Sequence, residues 1–192
     1  MQATLKAGLR VSEYVLEEPL GSGTFGEVWR ARHHVWSSEV VAVKLPTEPQ
    51  YVRYLQREGI VVHGLRHENI VRVLGLDPYA DTPYLVMELV DGPSLRQVID
   101  AHRQGLPLGV VEHVLRGVLN GLVVAHEAGV LHRDMKPGNV LLHLTGRPAT
   151  ELRAADVKLS DFGLGVSTGD TLRSLAQSAS LARDDQLVGT LA

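Results

Sequence analysis

The sequence predicts an α+β fold, in which a small antiparallel sheet with a single helix comes first and a mainly helical part follows. Three observations carry this. Short β-prone runs bounded by Gly, Ser or Pro crowd the first half of the chain, and beyond Asp91-Gly92-Pro93 the apolar spacing lengthens to that of helices. The chain's 192 residues, 44% of them hydrophobic, suffice for one packed domain or for one domain and part of another.

In chain order, Tyr14-Val15-Leu16, Glu27-Val28-Trp29-Arg30 and Val40-Val41-Ala42-Val43-Lys44 read as strands, because β-branched and aromatic residues fit a pleated surface. From about residue 50 to residue 65, Tyr54, Leu55, Val61, Val62 and Leu65 recur at mixed helical spacings, with Gly59 weakening the pattern. Ile70-Val71-Arg72-Val73-Leu74 and Tyr84-Leu85-Val86-Met87-Glu88 return to strand. After the turn at Asp91, Leu95, Val98 and Ile99 share one helical face. A longer helix at about 108–128 presents Val111, Val114, Leu115, Val118 and Leu122 as its core-facing stripe; Gly117 and Gly121 cost it propensity, so packing must hold it. Val140-Leu141-Leu142 and Val157-Lys158-Leu159 form a later strand pair across the long polar connection 143–156. The sheet part is thus placed at 1–90 and the helical part at 91–192.

Charge and composition exclude more than they name. A net charge of −3 lacks the one-signed field that nucleic acid or an acidic membrane surface selects, so neither is expected as a partner. With no cysteine, no disulfide holds the fold and no thiolate acts as nucleophile or ligand, which suits a reducing compartment. No uninterrupted apolar run reaches the 18 or more residues of a membrane span. A soluble, cytoplasmic chain is expected, with a tether on a longer parent chain left open.

Gly21-Ser22-Gly23-Thr24-Phe25-Gly26-Glu27-Val28 is a glycine-rich turn between two β runs. Glycines let backbone N–H groups come close to phosphates and tolerate positive φ. Alone, the pattern also describes a plain turn. Its surroundings exclude two nucleotide folds: a dinucleotide fold has a helix directly after the loop, where Val28-Trp29-Arg30-Ala31-Arg32 continues as strand, and the Gly-Lys-Ser/Thr of a Walker loop is missing. Lys44 ends an apolar strand and would carry its ammonium toward the same phosphates, and Glu58 on the intervening helix could pair with it. Singly, each also reads as an exposed charge.

His132-Arg133-Asp134-Met135-Lys136-Pro137-Gly138-Asn139 packs a carboxylate, two cations and an amide between the long helix and a strand, a density that surface decoration does not explain. Asp161-Phe162-Gly163 ends the next strand; alone it is a common turn. A metal-dependent hydrolase, raised by nine histidines, fails on spacing. Val130 stands where His126-Glu127 would need a second histidine, and His33-His34 has no partner at ligand spacing.

Together these motifs resemble the serine/threonine branch of the eukaryotic-type protein kinases. Gly21 to Val28, Val41-Ala42-Val43-Lys44, Glu58, His132 to Asn139 and Asp161-Phe162-Gly163 stand in that family's order, and the resemblance covers nearly the whole chain. It implies ATP and Mg²⁺ as cofactors. Gly21, Ser22, Gly23, Thr24, Phe25 and Gly26 would cover the phosphates; Lys44 would contact them and pair with Glu58; Asp161 and Asn139 would hold Mg²⁺. Asp134 would accept or orient the proton of the substrate hydroxyl, and Lys136 would neutralise charge on the transferred phosphoryl. By the same resemblance Val28 and Ala42 cover the adenine, Leu141 floors it, the Glu88 to Val90 segment offers backbone contacts and Met87 stands behind. Phosphoryl transfer through a loose transition state needs in-line positioning and compensating cations, which this set supplies.

Lys136 two residues after Asp134 is similar to the serine/threonine branch, and Gly189-Thr190-Leu191-Ala192 resembles the start of its substrate-receiving segment, with Thr190 bonding Asp134 and Lys136. The implied partners are proteins bearing Ser or Thr hydroxyls. Ser167, Thr168, Thr171, Ser174, Ser178 and Ser180 form a hydroxyl-rich segment where autophosphorylation is expected, Arg133 being the phosphate's partner. Two departures stand out. The connection 143–156 is longer than the family's hairpin, at a surface position where loop length costs little. The chain also stops before an Ala-Pro-Glu motif and further large helices, so the expected fold is kinase-like with an incomplete C-terminal lobe, exposing apolar surface on the helix at 108–128. A catalytically weak, nucleotide-binding regulatory module therefore stays open, although the intact Lys44, Asp134, Asn139 and Asp161 argue for an enzyme.

Overall fold

A computed structural model describes residues 5–23 and 25–162 of the chain. Six strands, β1 (Arg10–Val11), β2 (Tyr14–Gly23), β3 (Gly26–His33), β4 (Val40–Leu45), β5 (Val73–Asp77) and β6 (Tyr84–Glu88), form an antiparallel sheet in the order β1-β2-β3-β4-β6-β5. Helix α1 (Val52–His63) lies between β4 and β5. Helices α2 (Leu95–Ala101) and α3 (Leu108–Glu127) follow, then a two-stranded antiparallel pair, β7 (Val140–Leu142) with β8 (Val157–Leu159). This is the α+β arrangement the sequence predicts, sheet first and helices after.

One strand shifts. The predicted run Ile70 to Leu74 yields to an observed β5 of Val73–Asp77. Ile70 and Val71 are buried, but their segment joins the lower hairpin: Val71 N–H donates to Leu159 O and Leu159 N–H to Asn69 O, both at 2.9 Å. A continuous apolar run says that it is buried without saying which backbone it pairs with.

The buried side of α3 also differs from the predicted stripe. Val110, Val114, Gly117, Gly121 and Ala125 face the core, while Leu115, Leu119 and Val123 are exposed. Of the predicted residues Val114 is buried, Val111, Val118 and Leu122 are half-buried, and Leu115 points out. A Cβ on Gly117 would lie 2.5 Å from Val157 Cβ, and one on Gly121 2.8 Å from Asn69 O. The helix therefore rests on the β7–β8 hairpin through its two glycines, each costing about 1 kcal/mol of helix propensity that close packing offsets. Periodicity counts apolar side chains and gives a glycine contact face no weight. By length and composition α3 is also apolar enough to cross a membrane, although no unbroken apolar run announced it; here its glycine side is packed on protein.

The connection 143–156 runs over the surface, as expected, but is anchored to the fold at a few buried points. It carries two 3₁₀ turns, Ala149–Glu151 and Ala154–Asp156, and buries Leu144 and Leu152. Arg147 donates to the carbonyls of His143, Leu144 and Glu151 and pairs with Asp156 Oδ1 at 2.9 Å; Arg153 reaches the same oxygen at 3.2 Å. Burial alone would raise the Asp156 pKa, but the hydrogen bonds from Arg147 and Arg153 bring it down to about 2.

Two apolar clusters form the core. One covers the outer face of the sheet with Leu16, Trp29, Val41, Val43 and Val86. The other runs without a break from Ala42, Leu55 and Val61 through Val71 and Met87 to Val114, Leu142, Leu159 and Phe162. A shared interior thus holds sheet and helices together and sets the cleft between them.

Candidate active site

Strand β4 ends at the cleft, and its Lys44 is the centre of the site. Lys44 Nζ lies 2.6 Å from Glu58 Oε2 and 2.6 Å from Asp161 Oδ1. Glu58 reaches it because α1 sits close on the sheet: a Cβ on Gly59 would meet Leu76 Cδ2 at 2.7 Å. The residue that weakened the helix pattern is the one that lets the helix dock. Burial pulls the Lys44 pKa down, but the two carboxylates outweigh it and the result is a raised pKa, so the ammonium stays charged. Burial pushes Glu58 up against the pull of Lys44. One ammonium thus holds two carboxyl groups, one from each half of the fold.

The loop after α3 is tied to the segment carrying Asp161 by His132. That ring is buried, bonds Ser160 O through Nε2 at 2.9 Å, accepts Asp134 N–H on Nδ1 at 3.3 Å, and lies 4.4 Å from the Phe162 ring. Burial lowers its pKa, so it is neutral and carries its proton on Nε2. Arg133 (φ 62) and Asp161 (φ 60) flank this tie in left-handed backbone, a strain that persists where surrounding structure over-determines it.

Asp134 Oδ2 accepts from Lys136 Nζ at 2.7 Å and from Asn139 Nδ2 at 3.1 Å, and Asn139 Nδ2 also donates to Asp134 O at 2.8 Å. The Lys136 bond, with help from Asn139, holds the Asp134 carboxyl below the usual range. With its amide nitrogen turned to Asp134, Asn139 keeps Oδ1 for a cation; Asp161, using Oδ1 for Lys44, keeps Oδ2.

A recess of about 330 Å³ gathers the predicted phosphate and catalytic residues. Gly21, Ser22, Gly23, Phe25, Gly26 and Val28 come from the β2–β3 hairpin, Lys44 and Glu58 from β4 and α1, and Asp134, Lys136, Asn139 and Asp161 from below. Beside it a cavity of about 600 Å³ is lined by Val28, Ala42, Met87, Glu88, Val90 and Leu141, the residues expected around adenine. The carboxylate of Glu88 is bonded to Lys158 Nζ at 3.0 Å and Arg72 N–H at 2.8 Å, so what Glu88 offers a ligand is main chain. Thr24, Gly163, the hydroxyl-rich stretch from Ser167 to Ser180 and Thr190 lie outside the described residues.

Some lining residues escape sequence reasoning. Phe25 stacks on Tyr54 at 4.9 Å and meets Tyr51 edge-on at 5.6 Å, joining the tip of the glycine hairpin to α1. Tyr54 read only as one of the helix's apolar positions. Leu20, Val71 and Gln97 line the adenine end; Val71 read as strand core, and no local pattern marks the other two.

A cleft lies between the sheet and the helical part, with a paired lysine above and an Asp-Lys-Asn cluster below, the layout of a protein kinase domain. The chain belongs to the protein kinase family, whose protein kinase domain model matches residues 14–181. It is 37% identical over 196 residues to the serine/threonine-protein kinase PkaA of Streptomyces coelicolor, covering 93% of this chain and 33% of that protein. It is 33% identical over 193 residues to the serine/threonine-protein kinase PknL of Mycobacterium tuberculosis, covering 98% of this chain and 44% of PknL. It is 35% identical over 170 residues to the Cell division control protein 2 homolog 1 of Trypanosoma brucei brucei, covering 86% of this chain and 53% of that one. The chain thus spans between about a third and about half of the length of these relatives.

Proposed function

We propose that this chain binds Mg²⁺ and ATP in the cleft and transfers the γ-phosphate to Ser or Thr hydroxyls of protein substrates. The observation that carries the reading is the convergence of Lys44, Asp134, Asn139 and Asp161 on one recess beneath the glycine hairpin. Lys44, fixed by Glu58, is placed to hold phosphate oxygens of ATP, and the 600 Å³ cavity has room for adenine. Asn139 Oδ1 and Asp161 Oδ2 are hard oxygen donors of the kind Mg²⁺ takes, and the ion when bound neutralises phosphate charge.

Asp134, held ionised, takes the proton of the substrate hydroxyl as its oxygen forms the new bond to the γ-phosphorus and the bond to the ADP oxygen breaks. Lys136, now 2.7 Å from Asp134 Oδ2, is within reach to balance charge on the phosphoryl in flight. The relatives' names as serine/threonine kinases support the hydroxyl class.

The test is transfer of labelled γ-phosphate from Mg²⁺–ATP to a generic Ser/Thr protein by the 192-residue chain. Transfer that disappears in Asp134→Asn supports the proposal. Nucleotide binding without transfer would overturn it in favour of a regulatory nucleotide-binding module.

A further inference from the structure

We propose that Glu13, His33 and His34 form a transition-metal site at the root of the β2–β3 hairpin, remote from the ATP cleft and independent of the kinase reading. His33-His34 has no ligand partner by spacing along the chain. The fold supplies one: pairing of Tyr14 with His33 across the β2–β3 ladder sets Glu13 beside the two rings. Each of the three residues offers one donor atom, and these atoms all lie within 4.8 Å of one another. Glu13 Oε2 is already 3.0 Å from His34 Nδ1.

Metal–ligand bonds of about 2.0–2.2 Å place neighbouring donors roughly 3–3.5 Å apart. The Glu13–His34 pair meets that spacing, and a shift of about an ångström brings in the third donor. Glu13 and His34 can supply it together: both side chains are partly exposed and already 3.0 Å apart, so they can move toward the buried His33 as a pair. Two imidazoles and one carboxylate make a borderline donor set that suits Zn²⁺ or Cu²⁺ over Mg²⁺ or Ca²⁺, whose preference is for oxygen alone. Three protein ligands leave a coordination position open. Glu13 also lines a recess of about 540 Å³ with Tyr14, Tyr79 and Tyr84, which gives an ion a route in from solvent.

The hydrogen bonds of these side chains set a limit on affinity. His33 Nδ1 accepts the N–H groups of Val35 and Trp36 at 3.2 and 3.1 Å, and Glu13 bonds His34, so an ion must displace hydrogen bonds to bind. Binding in the micromolar range is expected rather than the tight closure of a four-ligand structural zinc.

Titration of the dialysed 192-residue chain with Zn²⁺, read by calorimetry and by emission of Trp36, whose ring stacks 4.4 Å from His33, tests the site. One saturable Zn²⁺ is expected, unaffected by excess Mg²⁺, and weakened about tenfold or more by His34→Ala and by Glu13→Gln. His33→Ala removes a buried ring and risks the fold, so the two exposed variants carry the test. Unchanged Zn²⁺ affinity in both, or equal competition by Mg²⁺, overturns the proposal.

Discussion

Lys44 Nζ and Asp161 Oδ1, 117 residues apart in sequence, stand 2.6 Å apart across the cleft. The first ends a sheet strand and the second follows the lower hairpin, so this contact closes the two halves on each other at the place where a nucleotide's phosphates would sit. It carries both catalytic and energetic consequences.

Lys44→Met leaves the Glu58 carboxylate buried without a cation. Stability should fall by about 3–5 kcal/mol, measured by denaturant unfolding, because the cost is that of an uncompensated buried charge. Lys44→Met with Glu58→Gln should recover part of it. Phosphate transfer should fall by roughly 10²-fold or more in either variant.

Asp134→Asn keeps size and removes the acceptor. Transfer should drop by about 10²–10⁴-fold with nucleotide affinity little changed, seen by comparing kcat with the midpoint of ATP-dependent thermal stabilisation.

Asp156 titrates at about 2 in the fold, below the ordinary 3.8, so its ionised form is the one the fold favours. Its contribution is fully present above pH 4 and is lost as pH falls through about 2; at neutral pH it is about 2 kcal/mol. Asp156→Asn should lower stability at pH 7 by about that amount and make little difference near pH 2, measured by thermal unfolding across that range.

Gly117→Ala adds a methyl 2.5 Å from Val157 Cβ and 2.6 Å from Ala154 O. Crowding should outweigh the gain in helix propensity and cost about 1–3 kcal/mol. Gly109→Ala, in the first turn of the same helix with nothing within 4 Å, should be neutral or stabilising by up to about 1 kcal/mol, so that a Tm lower in Gly117→Ala than in Gly109→Ala reports the crowding at Val157.

The membership of the recess was legible because it sits in short motifs whose members are fixed by local backbone: the glycine hairpin, Lys44 at a strand end, and His132 to Asn139. Glu58 was legible by itself only as one of two readings, partner of Lys44 or solvated helix charge, since its partner is fourteen residues away and its approach depends on Gly59. What escaped was contact between surfaces. The glycine face of α3, the switch of Ile70 and Val71 from sheet to hairpin, and the anchoring of 143–156 by buried Leu144, Leu152 and Asp156 all depend on what lies opposite, and no period along the chain encodes an opposite neighbour. His33-His34 failed as a metal pair for the same reason, Glu13 being a neighbour in the ladder and not in the chain.

The β7–β8 hairpin is gripped from both directions: residues 69–71 exchange backbone hydrogen bonds with Leu159, Lys158 holds the Glu88 carboxylate, and α3 presses on Val157 through Gly117. The rear wall of the cleft is therefore held by backbone pairing, whereas the glycine-tipped hairpin at the front is held to α1 through Phe25 on Tyr54 and Tyr51. Deuterium should enter the amides of Val71 and Leu159 slowly and those flanking the hairpin tip quickly, the frame at the back outlasting the aromatic latch at the front.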